Sequence, residues 1–475
     1  MTVLPETLVV ELRGGRRLAG IAGYGALYVL VLPRLLGAWM RRLDEVLHLA
    51  PLDVWPGVAL AVGGSGVLLM AAGSLALWRF GRGLPMSPYP PDRYVTRGVY
   101  ALIPHPIYAG AVLACAGWSL WTRSRGGLLV VSPALALAAA AFVLGYERDA
   151  TAARFGRRPA PNLETGTRRG ARPLFSPAAP LLPAWVFLCR GAEAIANSWR
   201  EWRVGPVRVM NHGIYAGLGA ALGVAVAVSL AGRSSLWWIV GLTLAAQLGA
   251  GLWAQLVEGS PQLLRPYGYF GSVVAVVAVC AAAGVAGQDA WIMLAAFAVG
   301  ASVTQAAGRL RCLVQGCCHG RPVDAAWGLR YRHPRSRVVR LSHLENVPLH
   351  PTQLYSILWT LVVGAFLAAL WVGAAPLPFI AGMYLLLVGL GRFVEEHLRG
   401  EPQTACVGGL RLYQWLAIAF VLAGGALTAV AGAPAPAPEP LPPGALPVLA
   451  GLGLFTWFLY GVDFPNSSRR FSRLV

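Results

Sequence analysis

The chain has 475 residues, of which 56% are hydrophobic and only 12% charged, about half the charged share of a soluble domain. With a mean hydropathy of +0.58, this composition excludes a disordered chain, a fibrous repeat and an ordinary water-soluble enzyme, and points to a polytopic membrane protein. The net charge of +19 invites a nucleic-acid reading, but the cations cluster at the ends of apolar runs, where they would meet lipid phosphates, so no nucleic-acid partner is expected. The sequence contains no lysine; every cation is an arginine, which grips phosphate through two N–H groups at once.

The N-terminal residues lack the basic, apolar, small-residue order of a cleavable signal, so the first apolar run is expected to stay as an anchor. A span needs about 20 mostly apolar residues. Runs of that kind fall at about 18–40, 57–79, 99–121 and 127–146. Arg13, Arg16 and Arg17 precede the first, Arg79, Arg82, Arg93 and Arg97 follow the second, and Arg148, Arg154, Arg157 and Arg158 follow the fourth. Two hairpins with a cytoplasmic basic face satisfy that pattern. An Arg- and Pro-rich stretch at about 155–183 then marks a domain boundary, and the short charged segment at 178–199 suits an interfacial helix as well as a crossing one. A second series lies at about 212–231, 235–257, 268–287, 290–308, 352–372, 377–395, 411–431 and 445–462, interrupted by a polar island at 308–351. PAPAPEPLPP at 434–443 reads as a stiff extended linker.

The expected fold is an all-α polytopic membrane protein, with a four-helix unit, a seven-helix bundle and one extra C-terminal helix. Its expected domains are 1–165, a linker at 166–202, a second membrane domain at 203–431 with a polar head at 309–350, and a terminal linker and helix at 432–475.

Two constellations carry chemistry. In YVTRGVYALIPHPIYAG, Tyr94 to Gly110, His105 sits between two prolines at the start of the third span. Pro at a helix start costs nothing, because its missing N–H has no partner there anyway, so a plain interfacial turn is one reading. Glu147 in GYERDATAARFG adds a carboxylate, and together these residues could hold a charged cofactor. The pattern resembles the isoprenylcysteine carboxyl methyltransferase and phospholipid methyltransferase superfamily, through Thr96, Gly98, Tyr100, His105, Pro106, Tyr108, Gly110, Glu147, Phe155 and Gly156. The resemblance implies S-adenosylmethionine bound at the cytoplasmic face by His105, Pro106, Tyr108, Gly110 and Glu147. Pro104 stands where that family carries an arginine, and the tyrosines expected after Phe155-Gly156 are absent.

The second constellation consists of three polar patches in runs that should be apolar: GRLRCLVQGCCHGRP (Gly308 to Pro322), LHPTQLY (Leu349 to Tyr355) and GLGRFVEEHLRGEP (Gly389 to Pro402). Ionisable groups at membrane depth are costly and mark function by default. Arg392, Glu396 and Arg399 fall at i, i+4 and i+7, on one helix face. A buried ion pair would explain them; with Arg309 and His350 added they could instead line a partly dry cationic pocket for an anionic lipid headgroup. The patches resemble those of prolipoprotein diacylglyceryl transferase, over about 203–431. That family moves a diacylglyceryl group from phosphatidylglycerol to a lipobox cysteine thiol.

The resemblance implies that Arg309 and Arg392 bind the phosphate, that Glu396 orients an arginine or the glycerol, and that His350, Gln353, Tyr355, Arg321, Arg399 and Gly316 shape the headgroup site. It also implies a thiol-bearing lipoprotein-like acceptor, no cofactor for the transfer, and a multi-pass protein of the bacterial cytoplasmic membrane. Phe270 stands where the family has a histidine, and Cys312 and Cys317 where it has Asn and Glu. Because the thiolate is the nucleophile, a base is wanted, and His212 or His319 is the candidate. No metal is assigned: the spacing of Cys312, Cys317, Cys318 and His319 does not match the usual two-pair zinc pattern, and a reduced turn or a redox pair competes with a metal site. Two further readings stand beside transfer: a methyltransferase whose C-terminal half only binds lipid, and a non-catalytic lipid-binding paralogue.

Overall fold

The computed structural model describes residues 20, 22–83, 85, 91–156, 182–401 and 405–474; of the expected linker, 166–181 lies outside the described residues. Among the described residues, eight helices are long and apolar enough to cross a membrane and four shorter ones are apolar. This is a multi-pass, all-α membrane protein. The chain divides into two compact units: Met1–Ala140 with Arg148–Phe175, and Ala141–Glu147 with Ser176–Val475.

The first unit is built on α1 (Ala22–Val46), α2 (Pro56–Gly81), α3 (Pro106–Trp121) and α4 (Gly127–Phe155), the middle of α4 grouping with the second unit. Lipid tails are as apolar as leucine, so helices in a bilayer associate through close backbone approach rather than a hydrophobic drive. α2 and α3 do this with glycine: a Cβ on Gly117 would lie 2.2 Å from Gly63 Cα, and one on Gly66 would lie 2.6 Å from the Gly110 carbonyl oxygen. Asp44 at the end of α1 accepts a 2.7 Å hydrogen bond from the Gly126 N–H just before α4.

The second unit opens with α5 (Leu182–Ala196), a 15-residue helix followed by the hairpin β1 (Glu201–Val204) and β2 (Val207–Met210). Then come α6 (Gly213–Ala231), α7 (Leu236–Leu256), α8 (Tyr269–Val285), α9 (Ala290–Gln315), α10 (Thr352–Val372) and α11 (Leu377–Leu398). A two-residue hairpin, β3 (Cys406–Val407) and β4 (Leu410–Arg411), leads to α12 (Leu412–Thr428), α13 (Ala445–Gly461) and β5 (Val462–Asp463). β2 is the centre of a three-stranded antiparallel sheet, with Arg208 opposite Asp463 and Val209 opposite Val462.

The last helix is part of this bundle. A Cβ on Gly213 would lie 2.4 Å from Gly461 Cα, and one on Gly217 would lie 2.5 Å from Gly453 O, so α6 and α13 touch along a glycine seam. The Pro-rich stretch before it is docked as well: Trp371 Nε1 donates to Pro436 O (2.8 Å) and the Glu439 N–H to Ser229 O (2.7 Å).

One boundary differs from the sequence reading in a way that matters for the site. Gly308-Arg309 was the expected end of a span, but α9 continues to Gln315 and closes on Gly316, whose φ of +73° glycine adopts without the strain a side chain would bring. The tertiary burial of α9 overrides its local polarity, and Arg309 and Cys312 are therefore carried on a helix.

Candidate functional site

Three arginines of the second unit converge on one carboxylate. On α11, Glu395 lies three residues after Arg392 and four before Arg399, the two spacings that bring helix side chains together. Arg309 reaches it from α9 (Nη2 to Glu395 Oε1, 2.8 Å), Arg392 approaches Oε2 to 2.7 Å and Arg399 approaches Oε1 to 3.3 Å. Ser356 on α10 donates to the same carboxylate at 3.1 Å and accepts from Arg309 Nε at 3.1 Å. All of these groups are buried or nearly so. Three guanidinium groups against one carboxylate leave an excess of positive charge, and the buried Arg392 Nε has no hydrogen-bond partner among the described residues.

The surplus faces a cavity of about 380 Å³, within the range of ligand sites. Arg309, Arg392, Arg399, Arg265 and Arg311 line its polar part; Val224, Val276, Leu294 and Phe297 line an apolar part. The Arg392 guanidinium lies 5.1 Å from the Tyr269 ring centroid and 6.0 Å from that of Phe270, a cation–π contact that orients it without neutralising it. The position where a histidine was expected thus holds an aromatic platform.

The structure gathers some expected residues and separates others. Arg309, Arg392 and Arg399 share the cavity wall; Glu396, His212, His319, His350, Gln353, Tyr355, Arg321 and Gly316 are not among its lining residues. Glu396 faces Arg399 (3.3 Å) and Arg411 (3.7 Å) instead. His319 is buried, its Nδ1 3.2 Å from Gly316 O and 3.6 Å from a Glu401 oxygen. His350 Nδ1 meets the Tyr355 hydroxyl at 3.1 Å, and Gln353 Nε2 donates to Cys317 O at 2.8 Å, so LHPTQLY braces the cysteine turn from outside. Of the four residues to which the sequence assigned no metal, the sulfurs of Cys312, Cys317 and Cys318 lie within 4.8 Å of one another and His319 is not in the group. All three cysteines line the cavity.

Sequence reasoning missed Glu395 and Glu258. Glu258 lines the cavity just beyond α7 and accepts a short hydrogen bond from the Tyr413 hydroxyl. Burial pushes its carboxyl above the ordinary range, opposed by that hydrogen bond. Its only sequence signal is a lone carboxylate beside a span end.

His212 sits at the N-cap of α6 with both ring nitrogens buried and, among the described residues, without hydrogen-bond partners, the ring edge-on to Trp199 at 4.6 Å. Burial, then Arg311 and Arg208, hold its pKa well below the ordinary 6.5. The unfolded chain binds this proton near pH 6.5 and the folded chain only at much lower pH, so this contribution to stability is fully present above pH 6.5 and is lost progressively as the pH falls below it. Unfolding in detergent is accordingly expected at lower temperature at about pH 5 than at about pH 7.5, with the gap narrowed in His212→Phe. An unchanged gap in the variant would place the acid sensitivity elsewhere.

In the first unit, Gly98 takes φ +64° to start the short turn at Gly98–Ala101. His105 precedes α3, with Pro106 at its first position and the Tyr108 ring stacked at 5.9 Å. His105 and Tyr108 are half-buried, while Pro106 and Gly110 are buried against α2. Glu147 belongs to the segment Ala141–Glu147 that groups with the second unit.

Comparison with known proteins finds two families along the chain. Residues 53–158 match the family model for phospholipid methyltransferase and residues 201–430 the model for prolipoprotein diacylglyceryl transferase. Phosphatidylglycerol–prolipoprotein diacylglyceryl transferase 2 of Clostridium perfringens is 34% identical over 130 residues, 27% of this chain and 47% of that protein. The phosphatidylglycerol–prolipoprotein diacylglyceryl transferases of Clostridium tetani and Nitrosospira multiformis are each 31% identical, over 104 and 125 residues, covering 22% and 25% of this chain and 39% of each relative. The chain spans less than half the length of these relatives. The C-terminal half is thus prolipoprotein diacylglyceryl transferase-like and the N-terminal region phospholipid methyltransferase-like.

Proposed function

We propose that the second unit transfers a diacylglyceryl group from phosphatidylglycerol to a cysteine thiol of a lipoprotein-like acceptor, in the cytoplasmic membrane of a bacterium. The observation that carries this reading is the convergence of Arg309, Arg392 and Arg399 on one cavity that also has an apolar part, lined by Val224, Val276, Leu294 and Phe297. The apolar wall suits acyl chains and the guanidinium groups suit the phosphodiester. Charge grows on the phosphate as it leaves, and preset buried donors stabilise that charge more than they stabilise the ground state. The thiolate forms an S–C bond at the glyceryl carbon while the C–O bond to phosphate breaks. The electron pair stays on the phosphate oxygen and glycerol phosphate departs. Glu395 holds the arginines at the spacing this requires; Arg321, His350, Gln353, Tyr355 and Gly316 act behind the wall.

The match of residues 53–158 to phospholipid methyltransferase supports a second activity, in which His105, Pro106, Tyr108 and Gly110 of the first unit serve an S-adenosylmethionine site.

One assay tests both. Protein in phosphatidylglycerol vesicles receives either glyceryl-labelled phosphatidylglycerol with a lipobox peptide, or a labelled methyl donor. Label is expected in the peptide, and Arg309→Lys is expected to slow that transfer by about a hundredfold, the usual loss when one transition-state donor goes. Label only in methylated lipid would reduce the second unit to a lipid-binding module, and label in neither would make the chain a non-catalytic paralogue.

A further inference from the structure

We propose that Cys312, Cys317 and Cys318 form a three-thiolate site for a thiophilic divalent cation, zinc, and that the ion's open position takes the acceptor thiol. The second half rests on the diacylglyceryl-transfer reading; the site itself does not.

The three cysteines are free, their sulfurs lie within 4.8 Å of one another, and all three line the cavity that holds Arg309 and Arg399. Zinc binds sulfur at about 2.3 Å in a tetrahedron, which sets sulfurs sharing an ion about 3.8 Å apart. Side-chain rotation closes that difference. The backbone is already shaped for the purpose: Cys312 occupies the last turn of α9, Gly316 turns the chain at φ +73°, and Cys318 takes φ +59°, a left-handed conformation uncommon for a residue with a side chain. Such a conformation persists where surrounding structure enforces it, and α10 does so. Gln353 Nε2 donates to Cys317 O at 2.8 Å and Thr352 Oγ1 to Cys318 O at 2.5 Å.

Three soft ligands select zinc over magnesium or calcium, which prefer oxygen. A closed structural site would use four ligands; three with an opening is the catalytic arrangement. Three thiolates and a divalent ion carry one net negative charge, which Arg309 and Arg399 on the same wall offset. The resemblance to the transferase family places Asn and Glu at two of these positions and a histidine where Phe270 stands, so sulfur appears in the chain that lacks the expected base. Metal coordination deprotonates a thiol without a base. The acceptor thiol binds the ion as thiolate and releases its proton to water. Its sulfur lone pair forms the S–C bond as the C–O bond breaks, and the neutral thioether product, a weaker ligand than thiolate, leaves the ion.

The test uses the full-length protein, purified with reductant, loaded with zinc and dialysed. About one zinc per chain is expected. Cobalt substitution is expected to give a thiolate-to-cobalt charge-transfer band, lost in Cys318→Ser and in Cys312→Ser and kept in Cys406→Ser, a cysteine exposed on a hairpin. A lipobox peptide with a free cysteine should shift the band, and the same peptide alkylated at sulfur should not. Less than about a tenth of an equivalent of zinc in the wild-type protein, with no cobalt band, overturns the site. A band indifferent to the free thiol, or full transfer by metal-stripped protein, overturns thiol activation while leaving diacylglyceryl transfer intact. A band that the peptide shifts, without any label transferred from phosphatidylglycerol, keeps the site and its thiol ligand and removes the transfer reading instead.

Discussion

Replacement of Glu395 by alanine is expected to leave little folded protein. Arg309, Arg392 and Arg399 all lie within 3.3 Å of its carboxylate, and Ser356 donates to it. Removing the carboxylate leaves three buried guanidinium groups facing one another at membrane depth. Breaking a buried pair by deleting one partner costs about 3–5 kcal/mol, a large part of the roughly 5–15 kcal/mol that holds a folded domain. Here one deletion breaks three pairs. Glu395→Gln keeps acceptor capacity but no charge, and should fall between wild type and alanine. Glu396→Ala should be milder, because its contacts with Arg399 and Arg411 are longer and Arg411 reaches partial exposure. Thermal unfolding in detergent separates the three variants, and unfolding of Glu395→Ala at the same temperature as Glu396→Ala would mean that Glu395 does not organise the cluster.

That ordering was not legible in the sequence. Glu395 and Glu396 each stand three or four residues from both Arg392 and Arg399, so helical spacing admits either carboxylate. The choice is made by Arg309 on α9, a contact across 86 positions that no local pattern encodes. What the sequence did encode is apolar length. A bilayer dictates about 20 residues per crossing, and the runs expected at 57–79 and 352–372 appear as Pro56–Gly81 and Thr352–Val372. Where tertiary packing competes with local composition, the reading erred: α9 runs through Gly308-Arg309 to Gln315 because its neighbours bury it.

The candidate bases show the same limit. His212 and His319 are near the right patches in sequence, yet a histidine at a helix start can face any direction. His212 turned toward Trp199, while the cavity received Glu258 and three thiols. The sequence reads as a stiff Pro-rich linker followed by one extra terminal helix, outside the seven-helix bundle. The glycines of that helix, Gly453 and Gly461, and the strand that follows tie it to α6 and β2.

That tie gives the second large effect. Asp463, wholly buried on β5, accepts from Arg208 Nε at 2.8 Å and Nη2 at 2.6 Å, and from the Leu474 N–H at 2.9 Å. Arg208→Met should cost about 3–5 kcal/mol, since it strands a buried carboxylate. The double variant Arg208→Met with Asp463→Leu should recover most of that loss, because an apolar pair of similar volume avoids desolvating two charges. Activity should follow stability. β2 leads into α6 and β5 leaves α13 beside Tyr460, whose carbonyl accepts from Arg311 at 3.1 Å, while the Val462 carbonyl accepts from Arg265; both arginines line the cavity. The single variant should therefore lose transfer together with thermal stability, and the double should regain both. A double variant as unstable as the single would show that the sheet depends on the hydrogen bonds of this pair and not on relief of a stranded charge.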